Sequence, residues 1–214
     1  MLGQVVLGSD EVSIKTPSSE FHVPKKNIPE LGYLSWIFSI PGLDKDGREF
    51  LVEFSAEEVA AKIPDYVKEN GGIEQKLTVR ISVLSLAELT RARTEHSYSK
   101  LWSAIDGYQD REIIRDDELG LYKAYGSKGY RGSWELLSVF PDSSKPTPKD
   151  KDSFWVASCF SAGKLGDDNK FALCSSQFLV NDLVVDYSII DKNLKNRKAI
   201  VQFLHEKILA WRLR

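Results

Sequence analysis

The chain has 214 residues, 42% of them hydrophobic, with five Trp and ten Phe, and 28% charged; this composition supplies ample material for a core and excludes a disordered or low-complexity chain. Its formal net charge is −2 and no long Lys/Arg run breaks the balance, so neither nucleic acid nor an anionic membrane surface is the expected partner. No stretch approaches the roughly 20 consecutive apolar residues that span a bilayer.

The first residues, Met1-Leu2-Gly3-Gln4-Val5-Val6, lack the charged and apolar regions of a signal peptide. So abrupt an opening is what removal of a signal or lipid-anchor segment would leave. Strands are predicted over Gln4–Leu7 and Glu11–Lys15, followed by a Pro-punctuated segment, Phe21–Pro29, expected to lie extended over the surface as a strap. Tyr33–Ile40 and Glu49–Phe54 flank Pro41-Gly42-Leu43-Asp44-Lys45-Asp46-Gly47, which reads as a hairpin with an Asp-Gly turn. Ser55-x-x-Glu58 is a capping box opening a short helix that carries Val59, Ala60 and Ile63 and stops before Pro64. After Gly71-Gly72, Lys76–Leu84 alternates Leu77, Val79, Ile81 and Val83 with polar residues, the pattern of a strand buried on one face. Ser85–Tyr108 is expected to be helical in part.

From Glu118 onward the chain reads as a β-meander: Leu121–Tyr125, Trp134–Phe140, Phe154–Phe160, Phe171–Val180 and Leu183–Ile190 are rich in aromatic and β-branched residues. Pro141–Asp152 reads as a mobile surface loop, Gly126–Gly132 as a hairpin loop and Asn181-Asp182 as a tight turn. In Leu194–Leu213 the residues Ile200, Phe203, Leu204, Ile208 and Trp211 share one helical side, opposite Lys195, Lys198, Glu206 and Arg212, so this helix should pack across the preceding sheet. The expected class is α+β, antiparallel sheets with packed helices. An N-terminal lobe over residues 1–115 and a C-terminal meander with its helix over 116–214, or one continuous domain, are both compatible with the pattern.

Cys159 and Cys174 lie in two alternating apolar stretches separated by Gly163–Asn169. With the turn centred between Gly166 and Asp167 they oppose each other, close enough for a disulfide. A bond favours a periplasmic or extracellular protein; two buried free thiols of a cytosolic protein are the alternative.

Chemical motifs are sparse. Asp44, Asp46, Gly47 and Glu53 have part of a calcium-loop spacing, but the first ligand position falls on Gly42, and a hairpin turn is the better reading. His22, His96 and His205 have no metal-ligand spacing. There is no GxSxG elbow, and Gly126–Gly132 lacks the Lys-Ser/Thr ending of a phosphate loop. No cofactor is expected. What remains is an acidic run from Asp106 to Glu118, either a solvated face or a surface that steers a basic partner, with Tyr108, Tyr122 and Tyr130 as nearby aromatic anchors.

Taken together, Trp36–Gly42, Phe54-Ser55-Ala56-Glu57-Glu58-Val59-Ala60, the paired cysteines, and Asp182–Ile189 before a helix ending in Trp211 resemble the periplasmic immunity lipoproteins of bacterial type VI secretion lipase effectors. The resemblance implies a non-enzymatic, lipid-anchored periplasmic protein that binds a secreted phospholipase effector and occludes its active site. This sequence departs from the pattern in having no signal peptide or lipobox cysteine, which puts the anchor in doubt. Loops around Asp44–Gly47, Asp106–Glu118 and Gly126–Gly132 would then face the toxin, with Asp44, Asp46, Asp110, Asp116, Asp117, Glu118, Tyr130 and Arg131 as the expected contact residues. The competing class is a periplasmic small-ligand binder or hydrolase whose site is assembled from scattered residues, with His96 or His205 as acid or base.

Overall fold

The computed structural model describes residues 5–7, 10–29, 48–85, 87–88, 102, 111–126, 129, 131–142, 144–146, 148, 150–162 and 171–213. Three strands, β1 (Val5–Leu7), β2 (Glu11–Lys15) and β3 (Glu20–Pro24), form a small antiparallel sheet. A two-stranded hairpin consists of β5 (Glu69–Asn70) and β6 (Ile73–Glu74), with Gly71 and Gly72 at positive φ in its turn. The remaining strands are β4 (Glu49–Phe54), β7 (Leu77–Val83), β8 (Glu112–Asp116), β9 (Leu121–Tyr125), β10 (Ser133–Leu137), β11 (Trp155–Ala162), β12 (Phe171–Val180) and β13 (Leu183–Ile190). They are ordered β4-β7-β13-β12-β11-β10-β9-β8 in an eight-stranded sheet. Among the described residues, the helices α1 (Ala56–Ala60) and α2 (Arg197–Trp211) join these sheets in an α+β architecture. The chain divides into two compact units, one of residues 1–84, 179–187 and 196–214, the other of residues 85–178 and 188–195.

In the first unit, β4 and β7 pair in register from Glu49↔Ser82 to Phe54↔Leu77. The alternation read from Leu77, Val79, Ile81 and Val83 is realised: all four are buried, together with Phe50, Val52 and Phe54 of β4. The helix α2 presents Ile200, Phe203, Leu204, Ile208 and Trp211 to this core, each contributing roughly 1.5–3 kcal/mol by burial. Phe54 is the meeting point, edge-on to Phe203 at 5.0 Å and stacked on Trp211 at 5.5 Å. Lys195, Lys198 and Glu206 are exposed as expected. Arg212 is not: it is half-buried, pairs with Asp182 at 2.7 Å and bridges to Phe21.

That bridge bears on the expected surface strap, which the structure corrects. Phe21 and Val23 are fully buried in β3, because residues preceding Pro24 are already extended and their alternation places two large apolar side chains inward. Ser55 caps α1 by accepting from the Glu58 N–H at 3.2 Å, but the reciprocal half of the capping box is absent. The Glu58 carboxylate instead receives Lys207 of α2 at 2.7 Å, Lys26 at 3.0 Å and Asn27 Nδ2 at 3.3 Å.

The second unit is built from consecutive hairpins. Pairing of β8 with β9 makes a strand of Glu112–Asp116, where the sequence suggested only a charged run; Ile113 and Ile114 carry its pleat. The β9–β10 and β10–β11 ladders follow, the second interrupted by a bulge between Leu136 and Leu137. The bulge ends β10 earlier than expected, leaving Val139 and Phe140 exposed, and Ser138 donates to the Phe154 carbonyl at 2.7 Å. Trp102, Ala124, Leu137, Phe154 and Trp155 cluster against one face, with Ile113 and Tyr122 beside them. The expected surface loop before Phe154 is pinned at its end: Lys151 is buried, donates to Gln177 Oε1 at 2.6 Å and lies 4.2 Å over the Trp155 ring. In the last turn Asn181 takes a positive φ of 56°, which Asn tolerates better than most residues.

Cys159 faces Cys174 in the β11–β12 ladder and the two are bonded, with Cα atoms 4.0 Å apart. The expected pairing is therefore present, and the free-thiol alternative is excluded.

Two stability predictions follow from these contacts. The bond closes a loop of 15 residues, so the C159A/C174A variant should lose about 3 kcal/mol in urea denaturation; an unchanged midpoint would show that the hairpin is already fixed without the bond. In Glu58, burial acts to raise the carboxyl, but hydrogen bonds from Lys207, Lys26 and Asn27 outweigh it and hold it below its usual value. Asp182 is lowered in the same way, burial opposing and Arg212 and Ser18 prevailing. Because the folded values are depressed, this stabilisation is complete above the unfolded carboxylate range near about pH 4 and is lost as pH falls through it. Glu58→Gln should lower stability at pH 7 by about 1–2 kcal/mol and flatten the acid limb of a stability–pH curve; an acid limb as steep as the parent's assigns it elsewhere.

Candidate functional site

Among the expected contact residues, Asp116, Asp117, Glu118 and Arg131 are described, and all belong to the β8–β10 edge of the second unit. Asp44, Asp46, Asp110 and Tyr130, like the Pro41–Gly47 turn and His96, lie outside the described residues. The structure does not gather the four into one spot. Asp116, Asp117 and Glu118 occupy the β8–β9 turn, whereas Arg131 reaches Glu112 at the other end of β8, roughly 13 Å away along the strand.

Of the four described carboxylates of the acidic run, Glu118 is exposed and the other three are ion-paired. Glu112, Asp116 and Asp117 each hold a cation at 2.8 Å, from Arg131, Lys123 and Arg115 respectively. Each cation also lies over an aromatic ring: Arg131 over Tyr125 at 4.6 Å, Lys123 over Trp134 at 5.9 Å and Arg115 over Tyr122 at 5.6 Å. The edge is thus laid with carboxylate, cation and aromatic in successive layers, a pattern that neutralises charge while holding long cationic side chains in place.

The cross-strand register explains how the layers arise. Glu112, Tyr125 and Trp134 form one row, and Arg115 and Tyr122 oppose each other in another. Tyr125 and Trp134 rings are 5.8 Å apart, and Phe140 packs edge-on to Tyr122 at 5.5 Å with half its surface still exposed. The Arg115–Asp117 pair is largely open to solvent; Asp116 is the enclosed member, with 16% of its side chain accessible. Burial raises the Asp116 carboxyl, but hydrogen bonds from Lys123 and the Leu119 N–H prevail and hold it below the usual aspartate range. Asp116 and Glu118 also line a cleft of 230 Å³ with Lys123, Trp134, Asp191 and Lys195.

A second cleft, of 310 Å³, lies on strands β9 to β12. Its floor is a polar row that no motif announces: Glu135 opposes Ser158, which opposes Ser175. Glu135 Oε2 accepts from both Trp155 Nε1 at 2.8 Å and Ser158 Oγ at 2.6 Å. Ser175 and Ser188 hydroxyls share a hydrogen bond of 2.9 Å. Arg111, Tyr125, Ser133, Trp134 and Phe160 are among the other lining residues. The signal was present in the hairpin centring that pairs the cysteines, since the same register aligns Ser158 with Ser175.

Of the histidines, His22 and His205 are among the described residues. His205 is exposed on the polar side of α2. His22 lies 3.8 Å from Glu11 and 3.6 Å from Glu20 on the small N-terminal sheet.

No family model matches the chain, and no curated protein matches it. Among solved structures, an immunity protein of the Stenotrophomonas maltophilia type IV secretion system is similar, with 15% sequence identity and a TM-score of 0.49 over 100% of this chain and 99% of that one.

Removing the cation from the enclosed layer tests this electrostatic account. Lys123→Met should raise the Asp116 carboxyl, because burial then acts with only the backbone donors to oppose it. A carboxyl-detected NMR titration measures this directly, and an unmoved Asp116 midpoint would refute the pairing.

Proposed function

We propose that this protein is an immunity-type inhibitor, which binds a cognate secreted toxin in an oxidising compartment and covers its active site without chemistry of its own. The observation that carries the reading is the β8–β10 edge, where Arg115 is held on Tyr122 beside exposed Phe140 and, at the other end of β8, Arg131 is held on Tyr125. Arg, Tyr and other aromatics are the residues that protein interfaces favour at their energetic centres. Here their side chains are already ordered by neighbouring carboxylates, so less conformational entropy remains to be lost on binding. The Cys159–Cys174 bond supports an exported location, since such bonds persist in the periplasm and outside the cell.

The finer reading comes from the sequence resemblance alone: the toxin is a phospholipase delivered by a type VI secretion system, and the protein works in the periplasm on a lipid anchor. Asp116, Asp117, Glu118 and Arg131 are proposed as contacts at the two ends of the β8–β9 hairpin.

Purified, non-reduced protein should retain one secreted toxin stoichiometrically from the products of neighbouring genes, and should inhibit that toxin's hydrolysis of phospholipid vesicles. Arg115→Ala combined with Tyr122→Ala should weaken the complex by at least tenfold, about 1.4 kcal/mol, in calorimetry. Retention of no such toxin removes the inhibitor role, whereas undiminished affinity in the double variant removes this edge as the interface. Retention of a toxin that is not a lipase, with its activity inhibited, overturns only the finer reading.

A further inference from the structure

The eight-stranded sheet ends on β8, and the ladders determine which backbone groups of that strand are left over. In an antiparallel pair, opposed residues alternate between a wide pair that exchanges two hydrogen bonds and a narrow pair that exchanges none. Cys159 and Cys174, with Cα atoms 4.0 Å apart, are a narrow pair, so the backbone of Cys159 points to β10. The bond of 2.8 Å from the Ser161 N–H to the Gly132 carbonyl, two residues along, agrees. Cys159–Trp134 is then wide, Trp134–Tyr125 narrow and Tyr125–Glu112 wide, which turns the N–H and C=O groups of Glu112, Ile114 and Asp116 toward β9. Ile113 and Arg115 turn theirs outward, where no backbone hydrogen bond among the described residues meets them. Open edges are ordinarily guarded by charged side chains. On β8 each charge is drawn back over its own sheet: Glu112 to Arg131, Asp116 to Lys123 of β9, and Arg115 onto the Tyr122 ring and Asp117. What remains along the edge is the half-buried pair Ile113 and Ile114, one on each face.

We propose that β8 is an acceptor strand, on which the toxin lays an extended segment of its own main chain. The proposal rests on the inhibitor reading for the identity of the partner and extends that reading from side chains to backbone. Outward N–H and C=O groups in strand geometry are complementary to another strand; such pairing draws affinity from the main chain and selectivity from alternate side chains. A second copy of β8 fits poorly. A two-fold axis through an antiparallel pairing opposes residues that share a face. Centred on Ile114 it sets Glu112 against Asp116, and centred on Ile113 it sets Arg111 against Arg115; like charges so opposed are destabilising. The segment that fits comes from a different chain. It carries apolar residues against Ile113 and Ile114, an acid against Arg115, and no acid against Glu112 or Asp116.

The non-reduced protein, labelled with ¹⁵N, carries the test without any toxin. Amide hydrogen exchange should alternate along the strand, Ile113 and Arg115 exchanging about tenfold or more faster than Ile114 and Asp116. The probe is the peptide acetyl-Thr-Lys-Glu-Val-Val-Lys-Thr-amide, written to run antiparallel to β8 with its valines against the two isoleucines. It should bind saturably at about millimolar concentration and slow exchange at Ile113 and Arg115. N-methylation of its third or fifth residue, whose N–H groups would face Arg115 and Ile113, should weaken binding by about tenfold, whereas N-methylation of the fourth should not. Arg115→Pro deletes one outward N–H where an edge strand tolerates proline, and should weaken binding more than Arg115→Ala does. Equal protection of all β8 amides in the free protein, no binding at about 10 mM peptide, or an N-methylation series without this alternation overturns the proposal. Protection of Ile113 and Arg115 that grows with protein concentration alone assigns the edge to a second copy and overturns it as well. Each of these results leaves the toxin capture experiment untouched. A failed capture beside positive peptide binding removes the toxin as donor of the segment, while β8 stands as an acceptor.

Discussion

Cys159 and Cys174 face each other across β11 and β12, and the bond between them allows only one register for that ladder. Side chains alternate across a strand, so a slip of one residue would exchange the two faces of the whole pairing. The dependence spreads outward. With Cys159 opposite Cys174, Ser158 must oppose Ser175; the β10 ladder then places Trp134 against Cys159 and Glu135 against Ser158. One hairpin further, Trp134 opposes Tyr125 and Tyr125 opposes Glu112. The carboxylate of the cleft floor and the aromatic layer of the edge therefore derive their positions from a covalent contact that touches neither's chemistry.

The first unit is organised by a different means. Its strands and α2 meet through apolar contacts around Phe54, which are strong but not directional. Direction comes from Glu58, a largely enclosed carboxylate that draws in Lys207 from α2 and Lys26 from the segment after β3, and from Asp182, which takes Arg212 and the Ser18 hydroxyl. Charge-assisted contacts of this kind contribute modestly to stability and strongly to the choice of one docking angle among several that the apolar surfaces would accept.

Much of this was legible in the residues. The alternation over Leu77–Val83, the aromatic runs of the meander, the Cys pairing and the apolar stripe of α2 are all local patterns, and each element forms where its pattern lies. The misreadings share a cause. Phe21–Pro24 was read by its prolines, whereas burial of Phe21 and Val23 depends on strands and a helix end far along the chain. Glu112–Asp116 was read by its charge, which conceals two isoleucines and a partner strand. Glu58 fits a capping box by spacing, yet two lysines from distant segments compete for its carboxylate and win. As for the candidate site, its ingredients were visible as Tyr122, Arg131 and the acidic residues, but the layering of each cation between an acid and a ring required the register of three strands.

That layering has a kinetic side. A surface on which three of the four described acids, all but Glu118, are matched to a neighbouring base projects little field beyond contact range, and ions of the medium find little to screen. Two proteins meeting through such a face do so at the unsteered rate of about 10⁵–10⁶ M⁻¹s⁻¹, largely indifferent to ionic strength. Tight binding must then come from slow release once the rings and guanidinium groups are seated. For the inhibitor proposed above, protection against a toxin arriving at low concentration would depend less on swift interception than on how much of this protein the compartment already holds, and on each captured molecule staying captured for longer than a cell takes to divide.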